Sequence, residues 1–348
     1  MKKVTPFSEG FRMPAEWERH EATWISWPYN LKTWGRKLEG AEVAMAQYIQ
    51  YLSEGERIDI LVAHEGVEER ASWHLQKLGK TKHDVVLHRI ESGDVWIRDY
   101  GPIFIRNART KEVAWTKWKY NALGMPEEYA DLLPGNEAPN LLPLSHLKKF
   151  DGQMVLEGGS IDANGKGTML TTESCLLSPT RNPSMTRTEI EERLHDYLGI
   201  TNLLWLSAGI EGDDTSGHVD DVARFVNATT IVTVIEHNAT DANYKILKEN
   251  ARRLEAMRDQ DGKQLNIVEL PMPKKFIVDG RRMAASYANF YIGNACVLVP
   301  TYGQDSDVQA IRILEEYFTD RPVKGINCRD FIWGCGSIHC STQQQAAA

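Results

Sequence analysis

The sequence of 348 residues predicts a mixed α/β fold in one domain, and three observations carry that expectation. Amphipathic stretches of helical period alternate with short apolar, β-branched runs along the whole chain. No Pro/Ser linker or low-complexity segment divides them; the only biased stretch is the terminal QQQAAA. Residues that interrupt strand-like segments also recur at long spacing: Trp27, Asp99, Glu157, His218, Asn289 and Cys340, with gaps of 72, 58, 61, 71 and 51. A unit repeated about five times around an axis would gather such interruptions at one end of a central channel. Selective reading of any mixed chain yields similar spacing, so the ruler alone leaves both readings open. The expected organisation is one domain over 1–345, with 346–348 a disordered or appended tail.

The elements follow in chain order. A helix is expected over 37–54, around Ala44, Tyr48 and Tyr51, then a strand at 58–63 (IDILVA), a helix over 66–79 and a strand at 84–90 (DVVLHRI). VWIRDYGPIFIR reads as a strand interrupted at Asp99, where Gly101 and Pro102 end its first part. The helix over 186–198 has capping-box spacing at Thr186 and Glu189, with Gly199 as its stop. A strand at 229–235 (TTIVTVI) precedes a helix over 241–258, for which Asp241 is the expected N-cap. A strand at 294–300 (NACVLVP) and a helix over 306–318 complete the set.

Composition narrows function. The chain is 42% hydrophobic and 25% charged, and its 40 basic and 48 acidic residues give a net charge of -8. With no run of like charge, this excludes a nucleic-acid footprint and a polybasic membrane surface, and leaves cationic partners open. Neither an export signal nor a membrane span is expected, since the N-terminal lysines have no apolar run behind them. Five cysteines are too few for a secreted disulfide framework, so the cytoplasm is the expected location. A homo-oligomer is left open.

Several residues could carry chemistry. Cys340 lies in GCGSIHCSTQQ, where two glycines suit a close-packed turn that presents a thiol. Cys335, five residues earlier, raises a disulfide or half a metal site, but no second Cys pair or HExxH completes a zinc set. Cys175, Cys296 and Cys328 read as small buried hydrophobes. His339 adjoins Cys340 and should point to the opposite face of a strand, a poor place for a base. In EGDDTSGHVDD, His218 and Asp220 would share a strand face, with Glu211, Asp213, Asp214 and Asp221 crowding near. Those carboxylates would raise the imidazole pKa and attract a cation. Asp99 in DVWIRDYGP should diverge from Arg98, while Trp96 shares its face only if the segment bulges. Glu157 occupies a double-glycine turn, and Trp24, Trp27 and Pro28 form a cluster that reads first as core.

Taken together, WIRDYGP, LEGGS, DTSGHVDD, SYANFY and GSIHCSTQQ resemble the agmatine deiminase and bacterial peptidylarginine deiminase family, in the family's order and over nearly the whole chain. The resemblance implies the pentein fold, a five-bladed α/β propeller. It also implies Cys340 as nucleophile, His218 as general acid/base, Glu157 orienting the imidazole, Asp99 and Asp220 gripping a guanidinium, and Trp96 and Trp27 walling the slot. Asn289 is counted with the substrate-binding set. Within its motifs the chain departs from the agmatine deiminase pattern at Tyr100, Ser160, Ser216, Asp221, Cys335 and Ser337, which puts the substrate in question.

The chemistry is consistent with that resemblance. A guanidinium keeps its charge and presents a planar fork of N–H donors that two carboxylates can hold. A thiol beside that cation ionises more readily, attacks the carbon and forms an amidino-thioether; one imidazole protonates departing ammonia and then activates water. No metal and no organic cofactor are expected. The expected partner is a small cationic guanidine, agmatine giving N-carbamoylputrescine, with Asp214 as the contact for its ammonium. Rival expectations are a peptidyl- or free-arginine deiminase, a zinc hydrolase built on His218, Asp220 and a cysteine, and an inactive binder of arginine-like ligands.

Overall fold

The computed structural model describes residues 4–348. Five units repeat one pattern: a strand, an antiparallel partner, then a third strand parallel to the second. A parallel neighbour demands a crossover connection, so each unit sends chain out over its sheet before the third strand returns. Four units run in order: Ile103–Asn107, Val113–Lys119 and Lys148–Val155; Asp162–Ala163, Thr168–Thr172 and Asn202–Leu206; Ala223–Asn227, Thr230–Ile235 and Asn266–Pro271; Tyr291–Ile292, Val297–Thr301 and Val323–Asn327. The fifth joins the two ends of the chain. Its strand Thr342–Ala346 pairs antiparallel with His20–Ser26, which pairs parallel with Arg57–Val62.

The crossover helices are those the amphipathic pattern predicts. They are Leu38–Leu52, Arg187–Leu198, Asn243–Ala256 and Asp305–Glu315; Glu65–Leu78 leads to the extra strand Val85–Arg89. Thr186 and Glu189 form the reciprocal capping box, and Gly199 closes that helix in the left-handed region at φ 72°. Asp241 binds the amide of Asn243 from one position before the actual cap, Ala242.

Three local expectations are corrected. Ile97–Tyr100 is a helical turn, closed by Asp99 N–H to the Trp96 carbonyl (3.0 Å) and Gly101 N–H to the Ile97 carbonyl (2.8 Å). Trp96 and Asp99, three apart on a turn, therefore share a side, which strand geometry forbade. Val219–Asp221 is likewise a 3-10 turn, and its strand starts only at Ala223. The terminal QQQAAA is strand through Ala346, because its glutamines are tied into the fold: Trp24 Nε1 donates to Gln345 (2.9 Å) and the Gln343 amide N–H donates to the Pro102 carbonyl (2.7 Å).

The repeat positions the chemistry. Each unit enters its first strand through a tight turn, and those turns carry Asp99, Glu157, His218 with Asp220, Asn289 and Cys340. Buried side chains pack behind them, Trp24, Trp27, Trp34, Tyr48 and Phe331 among the largest. Among the described residues no helix is long and apolar enough to cross a membrane.

Candidate active site

Gly159 marks the centre of the gathered turns. A Cβ there would lie 2.6 Å from His218 Nδ1, 2.8 Å from Asp99 Oδ1 and 3.0 Å from Asp220 Oδ2, so this backbone approach admits only glycine. Gly159 N–H donates to Asp99 Oδ1 at 3.0 Å, and His218 Nδ1 lies 3.5 Å from the same oxygen. Cys340 Sγ lies 3.5 Å from Asp220 Oδ2 and accepts a hydrogen bond from the Asn289 amide at 3.0 Å. All are buried. Asp220 Oδ1 has no hydrogen-bond partner, which leaves one buried carboxylate oxygen for a ligand, while His218 stands beside the Cys175 thiol.

The electrostatics are those of a site that favours a cation. Burial pushes the Asp99 carboxyl up to about 7; Asp220 and Glu157 add to the rise, while His218 opposes it. Burial pulls the His218 imidazole down, but Asp99, Cys175 and Glu157 outweigh it and hold the ring well above its ordinary value. The Cys340 thiol is pushed well above its ordinary value by burial, then by Asp220, Asp221 and Asp99. Three carboxyl groups thus face a thiol that resists ionisation until positive charge arrives.

From this centre a narrow cleft opens past Trp96, Asp99, Tyr129, Asp214, Cys335 and Cys340. Trp96 stacks on Trp34 at 6.0 Å and lies over Gly336, whose Cβ would come within 2.5 Å of its ring, so the glycines around Cys335 make room for this wall. Tyr129 Oη donates to Asp214 at 2.9 Å, and Arg281 approaches the same carboxylate at 3.7 Å.

Several expected roles change. Trp27 does not reach the cleft; it is wholly buried, donates to Glu42 at 3.0 Å and packs against His74. Asn289 is absent from the cleft wall because both ends of its amide are engaged: its nitrogen serves Asp221 (2.9 Å) and Cys340, its oxygen the His339 N–H (3.0 Å). Of the acids before His218 only Asp214 lines the cleft. Glu211 is exposed, and Asp213 binds Thr215 in its own loop. Glu157 does not hydrogen-bond the imidazole; it takes Arg181 Nε at 3.0 and 3.2 Å. Cys175, read as a small buried hydrophobe, lies beside His218, and burial raises its thiol above the ordinary value while His218 opposes the rise. Arg98 diverges from Asp99 as expected and donates to Gln344 (2.7 Å).

Glu157, Cys175 and His218 place ligand atoms within 4.8 Å of one another, the one grouping among the described residues that could hold a metal ion. The Arg181 guanidinium already fills the cationic position on Glu157, so this grouping does not fit a resident metal. All five cysteines are free thiols. Sequence reasoning missed Arg181, Arg224, Glu16 and the use of His339. Arg224, a charge inside the apolar strand Ala223–Asn227, was the visible signal; Glu16 had none.

Comparison with known proteins decides the family. The Porphyromonas-type peptidyl-arginine deiminase family model matches residues 12–346. This chain belongs to that family. It is 33% identical to the agmatine deiminase of Medicago truncatula, over 99% of this chain and 98% of that one. The solved structure of the agmatine deiminase of Enterococcus faecalis superposes with a TM-score of 0.87 at 31% identity, covering 100% and 99% of the two chains. A cysteine-to-serine variant of the C. jejuni agmatine deiminase with substrate bound gives 0.85 at 28% identity, covering 96% of each. The five repeated units are the family's pentein fold.

Proposed function

We propose that this family member is an agmatine deiminase, hydrolysing the guanidinium of agmatine to N-carbamoylputrescine and ammonia. The observation that carries the reading is a thiol, 3.5 Å from the Asp220 carboxylate, that burial and then Asp220, Asp221 and Asp99 hold well above its ordinary value. Such a thiol works only on a substrate that brings its own positive charge. The named relatives, agmatine deiminases aligned end to end with this chain, support the same choice.

The guanidinium enters between Asp99 and the free Oδ1 of Asp220, with Trp96 against its plane. Its charge offsets the repulsion that held the proton on Cys340, that proton leaves to solvent as the substrate enters, and the thiolate, steadied by the Asn289 amide, attacks the guanidinium carbon. His218 gives a proton to one terminal nitrogen, ammonia leaves and an amidino-thioether remains on Cys340. The neutral imidazole then takes a proton from water as its oxygen attacks the same carbon. Collapse breaks the C–S bond and releases the ureido product, the hydroxyl proton restores the Cys340 thiol, and His218 keeps the proton it took from water. Glu157 and Arg181, locked together behind the ring, set its orientation and charge.

At the outer end Asp214 receives the ammonium tail, and like charge would oppose the α-carboxylate of free arginine. Rates of ureido formation from agmatine, free arginine and a peptide ending in arginine test the reading. It predicts the highest kcat/KM for agmatine; a higher value for either arginine substrate would overturn the substrate and leave the cysteine chemistry standing.

A further inference from the structure

We propose that His339 is a positioning residue for the deimination step, a fixed positive charge clamped between Glu16 and Asp220 that holds Asp220 as the acceptor for the guanidinium. The inference rests on the reading that Asp220 grips the substrate. His339 Nδ1 is 2.7 Å from Asp220 Oδ2, and Nε2 is 2.8 Å from Glu16 Oε2. A carboxylate only accepts, so a ring bonded to two of them donates at both nitrogens and carries charge. Its main chain is pinned as well: the N–H donates to Asn289 and the carbonyl accepts from Arg98 Nε at 3.3 Å. The ring cannot swing toward the neighbouring Cys340, which removes it as a base and leaves it as a support.

Behind His339 the charges alternate through the buried core. Arg224 lies 2.9 Å from Glu16 and 2.7 Å from Asp162, and Arg98 lies 3.6 Å from Glu16. Asp220 itself faces Asp99, Asp221 and Cys340 on the acidic side, and His339, His218 and Arg224 on the basic side. Burial favours its neutral form, yet the His339 bond and charge, helped by His218 and Arg224, hold it below the usual carboxylate range. Asp99, whose His218 partner stands 3.5 Å off and makes no hydrogen bond to it, is raised by burial. The two carboxyl groups are thereby set apart: Asp220 stays ionised with Oδ2 engaged and Oδ1 free, while burial raises Asp99 to about 7.

Two substitutions separate charge from packing. His339→Asn puts an amide N–H where Nδ1 was and keeps a neutral bond to Asp220; His339→Gln reaches toward Glu16 and gives up Asp220. The readout is kcat/KM for agmatine from pH 5 to 9. Wild type should fall on the acid side with a slope of about one, from Asp99 alone. In His339→Asn a second carboxylate titrates in the same range, so the slope should approach two and the deficit should grow from about threefold at pH 8.5 to about 100-fold at pH 5.5. His339→Gln should show the same steepening on top of a loss of about 30-fold at every pH. A slope of one in both, with a deficit constant over pH, would overturn the proposal and leave His339 a packing residue. Failure of wild type to turn over agmatine would instead remove the reading beneath it. A measurement on unsubstituted His339 guards against variants that do not fold: ¹⁵N-histidine NMR at pH 7 should show an imidazolium ring with both nitrogens protonated that persists in His218→Asn and in His20→Gln, since His20 also has acceptors on both ring nitrogens. Loss of every such ring across those two variants would equally overturn the proposal.

Discussion

Replacing Asp214 with Asn should weaken agmatine selectively, and the structure sets the size. The carboxylate is 20% exposed, so an ammonium placed on it sits in a mixed dielectric. At an effective constant of about 20, two unit charges 4 Å apart attract by about 4 kcal/mol before desolvation is subtracted. Tyr129 already donates to this group, and Arg281 at 3.7 Å already offsets part of its charge. A net gain of about 1–2 kcal/mol remains, which corresponds to a KM for agmatine raised about 5- to 30-fold in Asp214→Asn, with kcat within about threefold. n-Butylguanidine keeps the guanidinium and lacks the amine, so its KM should move less than about twofold. Arg281→Gln should act in the opposite sense and lower the KM for agmatine, because it frees the carboxylate. Steady-state ureido formation with both substrates reads all three effects. Equal weakening of the two substrates by Asp214→Asn, or a raised KM in Arg281→Gln, would refute the tail contact.

Three more expectations concern the inner site. Glu157→Gln leaves Arg181 poorly compensated beside His218 and should slow the single-turnover chemical step by about 100-fold with agmatine binding intact; normal chemistry would contradict its role. Because Asp99 is raised to about 7 and must be ionised to hold the substrate, kcat/KM should be full above that pH and fall about tenfold per unit below it, a limb that Asp99→Asn should abolish together with most activity. A flat acid side in wild type would count against it. Asn289→Ala strips a bond from the Cys340 sulfur and orphans buried polar groups on Asp221 and His339, so stability should fall by about 2–5 kcal/mol in denaturant titration and kcat by about 100-fold. Wild-type stability and kcat in that variant would show that the amide is dispensable.

What could be read in advance followed the reach of each signal. Helix periodicity and the Thr186–Glu189 cap are local, so the crossover helices were legible to within a few residues. The long ruler also had content: its residues after Trp27 occupy the entry turns of successive units. Trp27 fitted the count only by position, for it lies inside a strand-to-loop segment of the core and not in an entry turn. Apolar neighbours made WIRDY and HVDD look like strand, whereas Asp99 is held by a helical turn closed through backbone bonds that no composition announces. The supports of the site were hidden because they come from distant segments: Glu16, His339, Arg224 and Asp162 meet only in three dimensions, and each alone reads as an ordinary charge.

The covalent role of Cys340 is the central claim, and intact-protein mass spectrometry after rapid acid quench tests it most directly. Wild type mixed with agmatine should carry an added amidine-derived mass that peptide mapping places on Cys340, while Cys340→Ala should fold, bind agmatine and gain no mass. Turnover near the wild-type rate in Cys340→Ala, or an adduct mapped to Cys175 or Cys335, would contradict the account.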